Sequence, residues 1–450
     1  MKAINRVPSS IGVVFDIFLY ELADTFFYII QPHIFPTLLR LIGAVIIIYN
    51  ISRTRFNQLD ASISNVFRLM FIWTLFMLLR GNLVGISLPG ASGSLIDVVR
   101  DAFLKPYGAL AYVLPFIALF KFNPRIFYYI KNISLILCVS SLLMVVLARD
   151  QIINGIISSG VTTLSGLDGE ELTVRNLIGS IFPGLGIILL GLFCCGYFKS
   201  RYSFLLPISI FVFFICCAIG GGRGMTVFSL LYLLFFFYLM YRKPFTLNKG
   251  VLIPSVKSGK TKMRTIMLFS LFIIALVYLF SSTEVFDYVF QRAFGGKDLN
   301  GEFQNESRTI LVNDMINDFN SHPFDWIWGR GINGSYVTSH LSINGRRAWM
   351  EYSYYYLILK GGLVYLFLFA YCLIHAVYQG FFKSNNYLSK CLAFMCVALL
   401  LNMLSAGAEP RCTTQFVLSW LCFGLLERKE VRMMSEKDIV GYFNNKYYSH

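Results

Sequence analysis

Charge is what this chain has least of. Asp, Glu, Lys and Arg make up only 14% of its 450 residues, against 56% apolar. A soluble chain of that length needs more polar surface to cover itself, so the composition points to an integral membrane protein. Histidine is rare, with five in all, and no His or carboxylate spacing suggests a metal. The ten cysteines (138, 194, 195, 216, 217, 372, 391, 396, 412 and 422) lie almost entirely inside apolar runs. The longest polar loop has none. Neither a disulfide framework nor a zinc site is expected. No GxxxxGK[ST] loop occurs and the basic connections are short, which excludes an ATP-driven pump in this chain alone. The inner side has no DxD motif, against a soluble-type sugar-nucleotide transferase. Internal repeats and low-complexity linkers are also missing. No small-residue cleavage site follows the first apolar run, so no cleavable signal peptide is expected.

What the chain does have is a series of apolar runs of roughly 15–20 residues, the length of a membrane-crossing helix. They do not alternate as barrel strands would. Spans are expected near 11–30, 35–51, 65–80, 106–121, 127–148, 177–198, 203–219, 224–241, 265–281, 352–378, 389–406 and 412–426. Asp16, Glu21 and Asp24 make the first the least secure span, with an interfacial segment as the alternative. The expected class is thus an all-α polytopic membrane protein of about 11–12 transmembrane helices. The segments "SRTRF", "KFNPR", "FKSRY", "YRKPFTLNKGVLIPSVKSGKTKMR" and "ERKEVR" are basic, and the positive-inside rule places them in the cytoplasm with both termini. That distribution accounts for the net charge of +15 without nucleic acid. Helices fill 1–281, one large extracytoplasmic loop fills 282–351, helices return over 352–426, and a cytoplasmic tail occupies 427–450.

This orientation puts "GGGRGMT" on the outer face. Gly221, Gly222 and Gly224 let backbone N–H groups approach an anion, and the Arg223 guanidinium grips two oxygens at once. A snorkelling arginine at a tight hairpin fits the same residues. The long outer loop adds more arginines. Apolar residues at 310, 311, 315, 316 and 319 predict an amphipathic helix over Glu306–Phe319, with Arg308 in its first turn. The turn-rich "HPFDWIWGRGINGS" follows and holds Arg330, then Arg346 and Arg347 before the next span. As a group they suggest a site for a polyanionic lipid headgroup. Glu351, where the chain re-enters the membrane, is a candidate general base toward a sugar hydroxyl, or an ordinary helix-dipole charge. Asp314, Asp318, Asp325 and Glu409 are weaker candidates for the same part, as are His322 and His340 for any chemical role. Tyr352, Tyr354, Tyr355 and Tyr356, with Trp326, Trp328 and Trp349, fit either sugar stacking or an interfacial aromatic belt.

Three stretches together resemble the O-antigen polymerase (Wzy) family of bacterial surface-polysaccharide enzymes, and more distantly the O-antigen ligases. They are "GGGRGMT", "ESRTILVNDMINDFNSHPFDWIWGRGIN" and "EYSYYYLILKGGLVYLFLF". The resemblance implies a GT-C-like, metal-independent glycosyltransferase without a diffusible cofactor. It would join undecaprenyl-pyrophosphate-linked oligosaccharides, as donor and acceptor, at the periplasmic face of a bacterial inner membrane. The family's pyrophosphate-holding arginines carry over to Arg223 and Arg308, with help expected from Arg330 or Arg411. Glu351 would take the acceptor proton, and Tyr355 would meet sugar. Ligases commonly carry His-Asn at the head of the last motif. Glu351-Tyr352 stands there instead and favours polymerase. A chain-length regulator and a flippase are the protein partners this implies. A flippase moving the same lipid-linked sugars is the alternative, although internal repeats and mid-membrane charges are lacking.

Overall fold

A computed structural model describes residues 59–83, 109–119, 125–147, 163–165, 171–173, 185–194, 204–219, 245–248, 251–254, 307–338, 345–350, 352–403 and 414–443, with scattered positions between 19 and 49, most of 229–238, and residue 410. Among these residues the chain is mostly helical. Two helices, Ala61–Arg80 and Ser353–Phe382, are long and apolar enough to cross a membrane, and four shorter apolar helices accompany them. The spans expected at 11–30, 35–51, 224–241 and 265–281 lie wholly or largely outside the described residues.

The described residues fall into two compact units. One holds Asp60–Leu119 and Ser307–Met433. Its elements are α1 (Ala61–Leu83), α2 (Ala109–Val113) and a 3-10 segment (Leu114–Leu119). Later in the chain come α6 (Ser307–Asn320), α7 (Phe324–Trp328), the strands β5 (Tyr336–Val337) and β6 (Arg346–Arg347), α8 (Ser353–Phe382), α9 (Tyr387–Met403), α10 (Thr414–Leu426) and α11 (Lys429–Met433). The other unit contains α3 (Arg125–Leu147), the hairpin β1 (Thr163–Ser165) with β2 (Glu171–Thr173), α4 (Leu185–Cys194), α5 (Leu205–Ile219), the hairpin β3 (Phe245–Asn248) with β4 (Val251–Pro254), and α12 (Glu436–Phe443).

Aromatic packing builds the core of the first unit. Trp420 of α10 is fully buried and lies 5.1 Å from Phe369 of α8 and 5.3 Å from Phe423, ring centre to ring centre. Phe67 of α1 closes the cluster, 5.2 Å from Phe116 and 5.3 Å from Phe423. Such tilted and edge-on pairs add about 0.5–1.5 kcal/mol each beyond their burial. Small residues let the helices approach. A Cβ on Gly424 would stand 2.2 Å from the Ala118 carbonyl, and one on Gly380 2.6 Å from Ala393 Cβ. The run expected to span at 106–121 is not one α-helix here. Pro115 has no N–H to donate, and the chain tightens to 3-10 geometry from Leu114.

In the second unit α4 lies against α3 so closely that a Cβ on Gly191 would fall 1.9 Å from Ser134 Oγ. The α5 end is tied to α3 by the Cys138 thiol donating to the Leu205 carbonyl at 2.9 Å.

Candidate functional site

The segment between α6 and α8 folds onto a break in α8. The helix predicted over Glu306–Phe319 is there as Ser307–Asn320, burying Leu311, Met315 and Phe319 along one stripe. Beside that stripe it presents carboxylates to the short hairpin that follows. Asp314 accepts from Thr338 Oγ1 at 2.6 Å, and Asp318 accepts from the Val337 N–H at 2.8 Å. After the His322-Pro323 turn, α7 makes little more than one turn and stops at Gly329. "HPFDWIWGRGINGS" therefore contains a helix that the turn-forming residues at its two ends concealed.

Arg330 is the centre of the segment. Its side chain is almost fully buried, donating from Nε to Asp325 at 2.7 Å and from Nη1 to Asp318 at 2.5 Å. Nη1 also donates to the Ser335 carbonyl at 2.9 Å, and the guanidinium carbon lies 4.6 Å over the Phe319 ring. Asp325 has a second cation, Arg80 at the end of α1, at 2.7 Å. Two arginines and two carboxylates thus balance. Burial pushes the Asp318 carboxyl up, but hydrogen bonds from Arg330 and Val337 and the charges of Arg330 and Arg346 outweigh it and hold it below the ordinary range. Burial likewise works against the Arg330 charge, and its two carboxylates more than offset that.

The backbone beside Arg330 fills the break. Gly362 has φ +69° and ψ −177°, a conformation essentially confined to glycine, and splits α8 into a short first part and a 20-residue second part (363–382). Three carbonyls at the break take partners from outside the helix. Leu359 accepts from the Arg330 N–H at 2.8 Å and Lys360 from the Gly331 N–H at 2.9 Å. Gly361 accepts from the Trp73 indole N–H of α1 at 2.8 Å. Helix carbonyls left unbonded in an apolar setting cost several kcal/mol each, so these donors are what permit the break. The buried Lys360 ammonium returns the tie, donating to the Gly334 carbonyl at 2.7 Å. The fit leaves no room for side chains. A Cβ on Gly329 would meet the Gly362 nitrogen at 2.5 Å, and one on Gly362 would meet the Ile327 carbonyl oxygen at 2.0 Å.

The other expected site residues divide into three groups. Arg346 joins Arg330 at Ser335, donating from Nε to Ser335 Oγ at 3.1 Å. Arg347, beside it on β6, donates to the Trp349 carbonyl at 3.0 Å. Tyr355 is half-exposed in a group of three tyrosine rings, 4.5 Å from Tyr354 and 6.5 Å from Tyr352. Arg308 lies in the first turn of α6, as predicted, and its side chain is outside the described residues. Gly221, Gly222, Arg223, Gly224, Glu351, Glu409, Arg411 and His340 also lie outside the described residues. Among the described residues, no group of three His, Cys, Asp or Glu side chains is placed to hold a metal ion.

Arg330 was expected to help hold phosphate. With Nε and Nη1 committed to two carboxylates, its geometry favours holding the loop instead. Sequence reasoning missed Arg80 and Trp73, and read Lys360 only as a charge near a span end, because each acts on a partner hundreds or tens of residues away. Asp318 and Asp325 had been singled out as possible bases, and both are ion-pair partners. Compared with protein-family models, curated proteins and solved structures, the chain has no match in any of the three.

Proposed function

We propose that this chain is a multispanning membrane glycosyltransferase of the O-antigen polymerase kind, with about 11–12 transmembrane helices in a GT-C-like arrangement. In this reading a growing glycan passes from its undecaprenyl pyrophosphate to a hydroxyl of the next lipid-linked repeat unit. Arg223 and Arg308 hold the pyrophosphate as its charge develops, and Glu351 accepts the acceptor proton. Arg346, Arg347 and Tyr355 line the approach for sugar. Arg330 positions the loop that carries these groups.

The membrane setting is supported by the helix surfaces. Phe367, Tyr371, Ile374, Tyr378 and Phe382 form one exposed stripe along α8, and Leu69, Ile72, Leu75 and Leu79 another along α1. Water-facing helices do not carry such stripes. The enzymatic reading rests on one observation above all. The outer segment is folded and strapped into a helix break by backbone hydrogen bonds and a neutral ion-pair network, which gives its arginines fixed positions. Catalysis by charge stabilisation needs such preorganised donors.

The break itself favours a second reading. Discontinuous membrane helices are a recurrent feature of transporters, so a flippase for lipid-linked sugars is the competing function. A ligase of the same superfamily is a third. Polysaccharide length on a gel separates them, in a strain lacking the gene and complemented with wild type, Arg223→Ala, Arg308→Ala or Glu351→Gln at matched membrane levels. Single repeat units persisting on the surface in the null and the arginine variants are expected for the polymerase. Loss of all surface sugar with lipid-linked units retained inside means flippase. Normal long chains in all three variants would refute the assigned site. Losing one charged donor should lower the rate about a hundredfold or more.

A further inference from the structure

We propose that α7 is an interfacial helix whose Phe324, Ile327 and Trp328 seat in the outer leaflet of the phospholipid bilayer, so that the loop is anchored to lipid as well as to α8. The proposal rests on the membrane reading of the chain and adds a contact which that reading does not require.

The helix has two unlike sides. Asp325 faces inward and is held at 2.7 Å by both Arg330 and Arg80. The other side is apolar and open, with Phe324 75%, Ile327 45% and Trp328 39% exposed. A five-residue helix in a water-facing loop has no reason to turn three large apolar side chains outward while burying its one carboxylate. That surface also continues another one. Trp328 stacks on Trp73 of α1, with ring centres 5.3 Å apart and planes within 13°, and meets Phe76 edge-on at 5.8 Å. On the same helix Ile72, Leu75 and Leu79 are exposed. The face of α7 is therefore an extension of the apolar stripe of a candidate span.

Its depth follows from α1. Arg80, which pairs with Asp325, ends the apolar stretch Ala61–Arg80. Asp60, at the opposite end of that stretch, pairs with Arg432. Nearby, His375 lies 2.8 Å from the buried Glu427. Twenty residues of helix rise about 30 Å, the thickness of the hydrocarbon core. The two ion clusters thus mark its two boundaries. Trp73 lies seven residues before Arg80 on α1, or about 10 Å of helix rise inside the boundary, and Trp328 stacks on it there. Interfacial helices bury their apolar face by about 5–10 Å.

A protein partner fits less well. Three side chains that are already partly covered offer well under the roughly 800 Å² per partner of a stable interface. The one charge on α7 itself, Asp325, is taken up by Arg80 and Arg330, which leaves its apolar side chains as the means of attachment.

Spin-label accessibility in the full-length protein tests this, in vesicles of phosphatidylcholine and phosphatidylglycerol. Phe324→Cys and Ile327→Cys are labelled with a nitroxide and compared with Leu79→Cys on the lipid-facing stripe of α1 and with exposed Asn320→Cys on α6. The described native cysteines are buried, and wild type labelled identically supplies the background. Positions 324 and 327 should collide several-fold more often with oxygen than with a water-soluble nickel chelate, as position 79 does, while position 320 shows the reverse. If 79 is lipid-exposed but 324 and 327 behave like 320, the α7 anchor is wrong and the membrane reading stands. If 79 also behaves like 320, both are wrong. Labels at 324 or 327 shielded from both reagents, with spin–spin broadening that disappears on dilution with unlabelled protein, would mean a second copy covers the helix. Should either cysteine variant fail to fold, quenching by brominated phosphatidylcholine decides. Trp328→Phe keeps the stack on Trp73 and should remove a measurable share of the tryptophan emission that those lipids quench in wild type. No change in the quenched share would overturn the proposal.

Discussion

Replacing Gly362 by alanine tests whether the segment between α6 and α8 is held by the helix break. The backbone there, at φ +69° and ψ −177°, belongs to a region that costs a residue with a Cβ about 1–3 kcal/mol. Strain is only part of the change. The new methyl would lie 2.0 Å from the Ile327 carbonyl oxygen and 2.7 Å from the Gly329 nitrogen, both of them backbone atoms that have no rotamer to escape into. The loop must then lift, losing the bonds from the Arg330 and Gly331 N–H groups to the carbonyls of Leu359 and Lys360. Two such bonds contribute about 1–3 kcal/mol together. The sum, roughly 2–6 kcal/mol, falls on one segment, since the α8–α9–α10 packing does not touch the methyl. Amide hydrogen exchange of the protein in detergent reads the result. At about 1.4 kcal/mol per decade, protection at residues 330–334 should drop by at least about 30-fold, with α9 and α10 unchanged. Gly345→Ala is the control, because Gly345 also has a positive φ of +73° but nothing within 4 Å of an added Cβ. Unchanged protection at 330–334 in Gly362→Ala, or an equal loss in both variants, would refute the reasoning.

Arg330→Met should leave Asp318 without its cation and Asp325 with Arg80 alone, destabilising the segment by about 3 kcal/mol, with Arg330→Lys recovering only part because an ammonium cannot reach both acids in the plane of a guanidinium; limited proteolysis between 320 and 340 reads this. Acid should loosen the same segment with a defined sign. The Asp318 carboxyl titrates below its unfolded value, so its contribution is complete above the ordinary range near ~4 and is lost as pH falls through the lower folded value. Exchange protection should therefore be flat from neutral pH to about 5 and fall below it, and Asp318→Asn should flatten the profile. Trp73→Phe keeps an aromatic ring against Trp328 but leaves the Gly361 carbonyl without its 2.8 Å donor, which should cost about 1–3 kcal/mol, seen as faster exchange on either side of the α8 break.

How much of this was legible in the sequence depends on the range over which each residue acts. The α6 helix was readable to within a residue at each end, because amphipathic spacing is a local signal. The long apolar runs likewise announce α1, α3, α8, α9 and α10, and the structure moves their ends by a few residues. The 3-10 segment at Leu114–Leu119 departs from the single span expected at 106–121, because Pro115, past the middle of that run, has no N–H to donate to the helix. Within the candidate site, the arginines and carboxylates were all visible as residue types, but their pairing was not. Nothing near Asp325 in sequence names Arg80, which lies 245 positions away. Nothing near Trp73 names Gly361, 288 positions on. Arg330 between two glycines looked like an anion grip because that local pattern suits one. Only the fold shows that the glycines serve close approach to α8 and that the arginine has two acids already.

That pairing bears on what the familial resemblance can carry. Two of the three stretches behind it, "WGRGIN" and "LKGGLVYLF", turn out to be the two sides of a single contact, with Gly329 and Gly331 on one side and Gly361 and Gly362 on the other. Their order and spacing reflect how a loop is fastened to a broken helix, and a polymerase, a ligase and a flippase can each use such a fastening. Those stretches therefore support the architecture more than the reaction. On the proposed reading the reaction would rest instead on Arg223, Arg308 and Glu351, with Arg346 and Arg347 in the loop and Tyr355 near the start of α8. If that division is right, the two sets of variants will separate in one assay. Gly362→Ala and Arg330→Met should lower activity in step with loss of loop protection. Arg223→Ala, Arg308→Ala and Glu351→Gln should abolish chain extension while exchange at 330–334 stays as in wild type. Chain extension that survives in the second set but fails in the first would move the chemistry onto the loop itself.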